Sequence, residues 1–250
     1  MCLSKYQSIF KRYEQKYLLS GDQYLSLRAL IDTHMEHDEY WKSTIMNIYF
    51  DTPNFYLIRQ SLEKPIYKEK LRLRSYGVAA PDSRAFVEIK KKYNGVVYKR
   101  RIGMKYTQAI DYLCHNAPPP KETQITHEVD YFKSYYAGLA PAMLVCYDRE
   151  ALYCANDPNL RITFDSNITW RTERLDLTLP PDGNALLEEG SYLMEIKIPG
   201  AIPLWLSGIL DQVHCYPTSY SKYGNGYRTW ARSQSHITNG DQYHVRQYIS

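Results

Sequence analysis

The sequence predicts an α+β fold, and three observations carry that expectation. At least six stretches read as β-strands in which charged residues recur at every second position, opposite apolar or aromatic ones. Asn94-Gly95 sits between two β-prone runs in "RAFVEIKKKYNGVVYKRRIGM", the strongest short-range signal of a hairpin. Other stretches space their apolar residues helically, as Ile125, Val129, Phe132 and Tyr136 do.

The elements follow in order. "FKRYEQKYLL" is a strand with Arg12, Glu14 and Lys16 on one face. "SGDQYLSLRALI" turns helical, with Ser20 or Asp22 placed to cap it and Tyr24, Leu27 and Ile31 at helical spacing. "TIMNIYFDT" is β-rich and stops at Thr52-Pro53. In "KEKLRLRSYG" Lys68, Lys70, Arg72 and Arg74 share one face, while Leu71 and Leu73 mark the packed one. Pro81-Asp82 is a turn, and the first arm of the hairpin puts Glu88, Lys90 and Lys92 on one face. Lys99, Arg100 and Arg101 lie just past the hairpin turn and read as solvated, ahead of a basic entrance. Thr107 begins a short helix carrying Ile110 and Leu113, Pro118, Pro119 and Pro120 form a stiff connector, and the next helix stops at Gly138. "PAMLVCYDREALY" and "LRITFDSNITWR" are two more strands; the first carries Arg149, the second Arg161, Thr163 and Asp165 on one face. Asp148-Arg149 alone reads as a structural ion pair. "LPPDGN" is a loop. "SYLMEIKIPG" is a strand with Glu195 and Lys197 on one side and Met194, Ile196 and Ile198 on the other. Pro203 opens a helix with Leu206, Ile209, Leu210 and Val213, and Trp205 reads as an anchor onto the sheet. "SYSKYGNGY" closes the folded part, giving one domain over residues 1–230 and a polar tail over 231–250.

Composition is that of a globular protein: 250 residues, 44% hydrophobic and 23% charged. The net charge of +4 is too small to argue for nucleic acid. Cys2, Cys114, Cys146, Cys154 and Cys215 are scattered without a C-x-x-C pair, as expected of reduced thiols in the cytoplasm. The N-terminus has no apolar core of a signal peptide, and no stretch is apolar for long enough to predict a membrane-spanning helix. Asn167-Ile168-Thr169 fits a glycosylation sequon and reads as chance.

The placement of charge carries the functional reading. Same-face neighbours in a strand lie about 7 Å apart, where two like charges repel by roughly 2 kcal/mol at an effective dielectric near 20. A row of cations therefore needs water or an anion in front of it. If the charged faces point outward they are a solvated surface, and edge lysines that deter aggregation are the plain explanation. If they point inward they line a polar barrel whose natural guest is a linear polyanion, with the interspersed carboxylates placed to hold a divalent metal. Arginine favours the second reading, because its planar fork suits phosphate and a gatekeeper does not need it. No phosphate-binding glycine loop, nucleophile elbow or H-E-x-x-H zinc motif competes.

Taken in order, Glu14 and Lys16, Arg72 and Arg74 in "LRLR", Glu88 and Lys90 in "FVEIKKK", "YDREAL", "RITFDSNI", "MEIKIPG" and "YSKYGNGY" resemble the VTC domain. This is the polyphosphate polymerase domain of the vacuolar transporter chaperone complex, within the triphosphate tunnel metalloenzyme, or CYTH-like, superfamily. The resemblance spans residues from about 8 to 227. It implies an antiparallel eight-stranded barrel, the triphosphate tunnel, with flanking helices. It implies ATP-dependent transfer of the γ-phosphoryl group onto phosphate or polyphosphate, with Mn²⁺ or Mg²⁺ as cofactor. Carried onto this sequence, Lys16, Arg72, Arg74, Lys90, Arg149, Arg161 and Lys222 become phosphate ligands and Ser221 adds a hydroxyl. Arg72, Arg74, Lys90, Lys222 and Glu195 become the catalytic set. Glu195 becomes the principal metal ligand, with Glu14 and Glu88 either joining it or orienting neighbouring cations. Some family members have His where this chain has Lys92. The implied partners are ATP, phosphate and polyphosphate, not nucleic acid. The regulatory SPX domain and the membrane helices of eukaryotic complexes are not found in this sequence, so any membrane partner is encoded elsewhere. Hydrolysis of a triphosphate by a related chain, and non-catalytic polyphosphate binding, are the alternatives.

Overall fold

The computed structural model describes residues 13–94 and 96–245, with side chains described through residue 234. Arg12, Gly95 and the side chains at the far end of the expected tail lie outside the described residues. The chain runs β1 (Tyr13–Leu19), α1 (Gly21–Ile31), β2 (Met35–Asp51), α2 (Tyr56–Leu62), β3 (Tyr67–Tyr76), β4 (Arg84–Tyr93), β5 (Val96–Lys105), α3 (Tyr106–Cys114), α4 (Gln124–Tyr135), β6 (Ala140–Cys154), β7 (Asp157–Arg171), β8 (Asn184–Ala185), β9 (Tyr192–Ile198), α5 (Leu204–Gln212) and α6 (Lys222–Val245). The α+β class is as the alternation predicts.

All strand pairs are antiparallel, in the order β1-β9-β7-β6-β2-β3-β4-β5, with the two-residue β8 beside β7. The eight long strands match the expected number, but the closed barrel needs correction: among the described residues no ladder joins β5 to β1. The sheet nevertheless curls. Glu14 on β1 and Lys90 on β4, near opposite ends of the path, come within 3.9 Å through their side chains. The outer edge of β1 is met by the segment leading into α6, where Thr218 N–H donates to the Lys16 carbonyl at 2.7 Å. Side-chain charge and a passing loop thus occupy the place where backbone closure would have been.

The convex face is greasy. Met46, Ile48, Leu71, Leu73, Val87 and Ile89 are fully buried against α3 and α4. Leu152, Ile162, Met194 and Ile196 pack under α1 and α5. Period two therefore turns the partners of these residues, including Arg72, Arg74, Lys90 and Glu195, onto the concave face. A third apolar cluster (Tyr49, Met143, Tyr147, Trp170 and Tyr223 among it) sits on that concave face under the first turns of α6.

Two helices follow sequence signals closely. Ser20 Oγ accepts the Gln23 N–H and Gln23 Oε1 accepts the Ser20 N–H, a capping box that opens α1. Thr123 caps α4, which ends before Gly138 in the left-handed region at φ +74°. Two others depart from expectation. Phe55, the N-cap residue of α2, offers no side-chain cap; Thr52 Oγ1 accepts the Tyr56 N–H at 3.0 Å, and the Asp51 carboxylate receives the Leu57 and Ile58 N–H groups at 2.8 and 3.0 Å. α6 begins within "SYSKYGNGY" and continues through the stretch expected to be a loose tail. Its glycines read as a turn but serve packing: a Cβ on Gly226 would meet Met143 Sδ at 2.7 Å, and one on Gly224 would meet Leu62 Cδ2 at 2.9 Å.

Candidate functional site

Three carboxylates organise the cations of the concave face. Glu88, buried on β4, is the first. Arg72, its cross-strand neighbour on β3, donates Nε at 2.8 Å and brings Nη2 to 2.6 Å. From β5, Lys99 Nζ lies 2.8 Å and Arg101 Nε 3.4 Å from the same carboxylate, and Arg74 Nε lies 3.9 Å away. Lys99 and Arg101 therefore face the site, which corrects the solvent expected for them; Arg100 instead pairs with Glu128. Burial would raise the Glu88 carboxyl, but Arg72, Arg74 and Lys99 hold it down at about 2. Burial takes Lys99 down to about 8 against the upward pull of Glu88.

Asp165 on β7 is the second. Arg149 grips it with both arms of the guanidinium, Nε at 2.6 Å and Nη2 at 2.7 Å, and Lys222 Nζ lies 2.5 Å away. The expected Asp148–Arg149 pair does not form: Asp148 accepts from Thr44 and Asn167 instead. Burial opposes the charge on Asp165, and Lys222 and Arg149 overcome it, so the carboxyl lies below its usual range.

Glu195 on β9 is the third. Lys197 lies 3.0 Å, Lys16 3.4 Å and Lys222 3.6 Å from its oxygens. Lys16 lies equally close to Glu14, at 3.4 Å. Burial would raise the Glu195 carboxyl, yet Lys197, Lys222, Lys16 and Arg149 keep it well below the usual range. The ordered network continues through tyrosines. Tyr147 Oη accepts from Arg74 Nη2 at 3.3 Å, and Tyr49 Oη accepts from Arg72 Nη1 at 3.2 Å. Burial would raise the Tyr147 phenol, but Arg149, Arg74 and Lys222 around it bring it to about 8.

Of the residues the sequence singles out, Lys16, Arg72, Arg74, Lys90, Arg149, Ser221, Lys222, Glu14, Glu88 and Glu195 share the concave face. Arg161 lies toward its rim, half-exposed and 3.5 Å from Asp38. The three proposed metal carboxylates are divided: Glu14 and Glu195 flank Lys16, whereas Glu88 is engaged by cations of β3 and β5. Among the described residues no group of three or more His, Cys, Asp or Glu side chains forms a ready-made cage. The Glu14 and Glu195 oxygens are hard donors of the type Mg²⁺ and Mn²⁺ take alongside water and phosphate oxygens, so this pair fits such an ion in part.

Sequence reasoning passed over Lys70, Lys99, Arg101, Tyr147 and Asp165 as site residues. Each carries the same period-two signal as a residue that was chosen: Lys70 with Arg72, Lys99 and Arg101 across from Lys90 and Glu88, Tyr147 with Arg149, Asp165 with Arg161.

The sequence profile of the VTC domain matches residues 11–231. No curated protein matches the sequence. Among solved structures, a candidate adenylate cyclase from Bacillus halodurans aligns with a TM-score of 0.53 and 14% identity, covering 83% of this chain and 92% of that one. A candidate adenylate cyclase from Vibrio parahaemolyticus aligns with a TM-score of 0.48 and 13% identity, over 88% of this chain and 98% of that one. The first likeness is one of fold.

Proposed function

We propose a function from one premise: the chain belongs to the VTC-domain family. It is a phosphotransferase that moves the γ-phosphoryl group of ATP onto a growing polyphosphate chain held along the concave face, which works as a tunnel. The observation that carries this reading is the convergence of Arg72, Arg74, Arg149 and Lys222 on one concave surface, each fixed by a buried carboxylate or a tyrosine hydroxyl. Phosphoryl transfer asks a protein mainly for positioning and for cations arranged before the charge develops.

Arg72 and Arg74 present guanidinium edges not spent on Glu88, Asn47 or the tyrosines, and these bind non-bridging phosphate oxygens. Arg149 and Lys222, oriented by Asp165, face the same charge from the opposite strands. Lys16, Lys90 and the Ser221 hydroxyl complete the cradle; Arg161 receives phosphate at the rim. A phosphate oxygen of the acceptor forms a bond to the γ-phosphorus as the bond from that phosphorus to the bridging oxygen breaks, and ADP leaves with the electron pair. No side chain is a nucleophile. A divalent Mn²⁺ or Mg²⁺ held by Glu195 and Glu14 would neutralise phosphate charge. Glu88 serves instead to orient Arg72, Lys99 and Arg101. The free thiols of Cys146, Cys154 and Cys215 suit a reducing, cytoplasmic setting. Among the described residues no helix is long and apolar enough to cross a membrane.

The test is to incubate the purified chain with ATP and Mn²⁺ and stain the products for polyphosphate on a gel. A ladder of chains is expected. Free phosphate as the sole phosphorus product besides ADP would make the chain a hydrolase and overturn the polymerase reading.

A further inference from the structure

One part of the concave face differs from the centre. Lys70 lies on β3 one pleat beyond Arg72, and Lys68 one pleat beyond Lys70; across the ladder their partners are Lys90 and Lys92. Among the described residues, Lys68, Lys70 and Lys92 have no carboxylate within ion-pairing distance. Lys68 Nζ donates to the Ser61 carbonyl at 3.1 Å, and Lys70 Nζ to Ser221 Oγ at 3.5 Å. Glu14 is shared by Lys16 and Lys90. Burial apart, the largest influences on Lys70 are all cations: Lys90 from β4, Lys68 and Arg72 from its own strand, and Lys16 from β1, while the Ser221 hydroxyl just before α6 and the Tyr223 ring within it lie beside the ammonium.

We propose that Lys68, Lys70 and Lys92, with the Ser221 hydroxyl, form an extension subsite for the phosphates of a linear inorganic polyphosphate beyond those held at the Arg72–Arg74 centre. The inference rests on the phosphoryl-transfer reading and deepens it, since it says where the part of the chain distant from the reacting phosphate lies. Compact ammonium groups spaced about 7 Å apart along a strand suit an anion that repeats in one dimension. The same spacing turns Tyr67 and Tyr93 to the opposite face, so this row offers no aromatic pair for stacked bases. Burial, with Lys90 and Lys68 next, pushes the Lys70 ammonium down to about 7, as happens to a cation that awaits its counter-ion. An arriving polyphosphate therefore returns a proton to Lys70 at pH 8.

The experiment titrates tripolyphosphate, a longer polyphosphate and an oligodeoxythymidylate of matched charge into the wild-type chain and into Lys68→Gln/Lys92→Gln, Lys68→Arg/Lys92→Arg and Lys70→Met, over a range of salt. For the longer polyphosphate, Lys68→Gln/Lys92→Gln is expected to lower the slope of log affinity against log salt by roughly 1–2, and its advantage over tripolyphosphate shrinks toward unity. The arginine pair keeps the advantage. At pH 8 the wild type takes up more protons on binding the longer chain than Lys70→Met does. An unchanged ratio and slope in the glutamine pair overturn the subsite. Equal binding of the oligodeoxythymidylate, lost in the same variants, overturns polyphosphate as its ligand. A wild type that binds neither phosphate compound overturns the phosphoryl-transfer reading as well.

Discussion

The concave face has two halves that treat the same charge differently. Around Glu88, Asp165 and Glu195 every cation leans on a buried carboxylate; despite burial, Arg72 is held more basic than usual by Tyr49 and Glu88, and Lys222 by Asp165 and Glu195. Around Lys70 the ammonium groups lean on a hydroxyl, a carbonyl and an aromatic ring instead. Lys90 marks the border: burial lowers its ammonium, Glu14 pulls it back up, and its side chain is 46% exposed. The lesson is that a row of cations read from sequence is not one site. Its paired part is rigid and shaped before any ligand arrives; its unpaired part is a repulsive strip that an anion relieves.

The comparison is broken most severely by removing an anchor. Asp165→Ala leaves Arg149 buried without its ion-pair partner and Lys222 with Glu195 alone, and should lower stability by about 3–5 kcal/mol, read by chemical denaturation. Next, Arg72→Ala should reduce ATP-dependent phosphoryl transfer by about 100-fold or more, measured as ADP release, with an unchanged circular dichroism spectrum. Wild-type turnover in that variant would remove Arg72 from the chemistry.

The pH dependence of stability should separate Glu88 from Lys70 by sign. Glu88 has its carboxyl lowered from 4.5 to about 2, so its contribution is complete above 4.5 and is lost as pH falls from there through about 2. Lys70 has its ammonium lowered from 10.5 to about 7, so the unfolded chain holds more protons between these values. Its cost is present below about 7, and the anion-free protein gains stability as pH rises through 7 toward 10.5. Glu88→Gln should flatten the acid limb and, by removing the carboxylate that pulls Lys99 upward, steepen the alkaline rise, whereas Lys70→Met should flatten that rise and leave the acid limb unchanged. The smallest effect belongs to a pair away from both halves: Lys105→Ala breaks an exposed bridge to Asp82 and should change stability by no more than about 0.5 kcal/mol, with no change in phosphate affinity.

Much of this was legible because period two is a strong constraint. Leu71 and Leu73 against Arg72 and Arg74, or Ile196 against Glu195, settle which way a strand faces once one side is seen to be greasy. Helices α1 and α4 were legible because their caps and apolar spacing are local. What escaped has non-local causes. α2 is too short to announce itself and depends on Asp51, which also accepts from Tyr223 at 2.7 Å. The first half of β2 is exposed and does not alternate, so only its pairing with β6 declares it. Closure of the sheet was expected from a resemblance, and register alone decides it. Lys99 and Arg101 sat beside Arg100, so they read as a surface run; their strand pairing with Lys90 and Glu88 turns them inward.

Lys222 has a further consequence through its position in the chain. It follows every strand, so on the ribosome the sheet can be complete while Asp165 still has Arg149 alone and Trp170 and Met143 lie uncovered. Only when the first turns of α6 emerge do the second ammonium and the apolar cover arrive together. The cluster around Asp165 thus gains its second ammonium only once residue 222 has been added, and a nascent chain halted before it would carry a cationic trough without the helix that covers it.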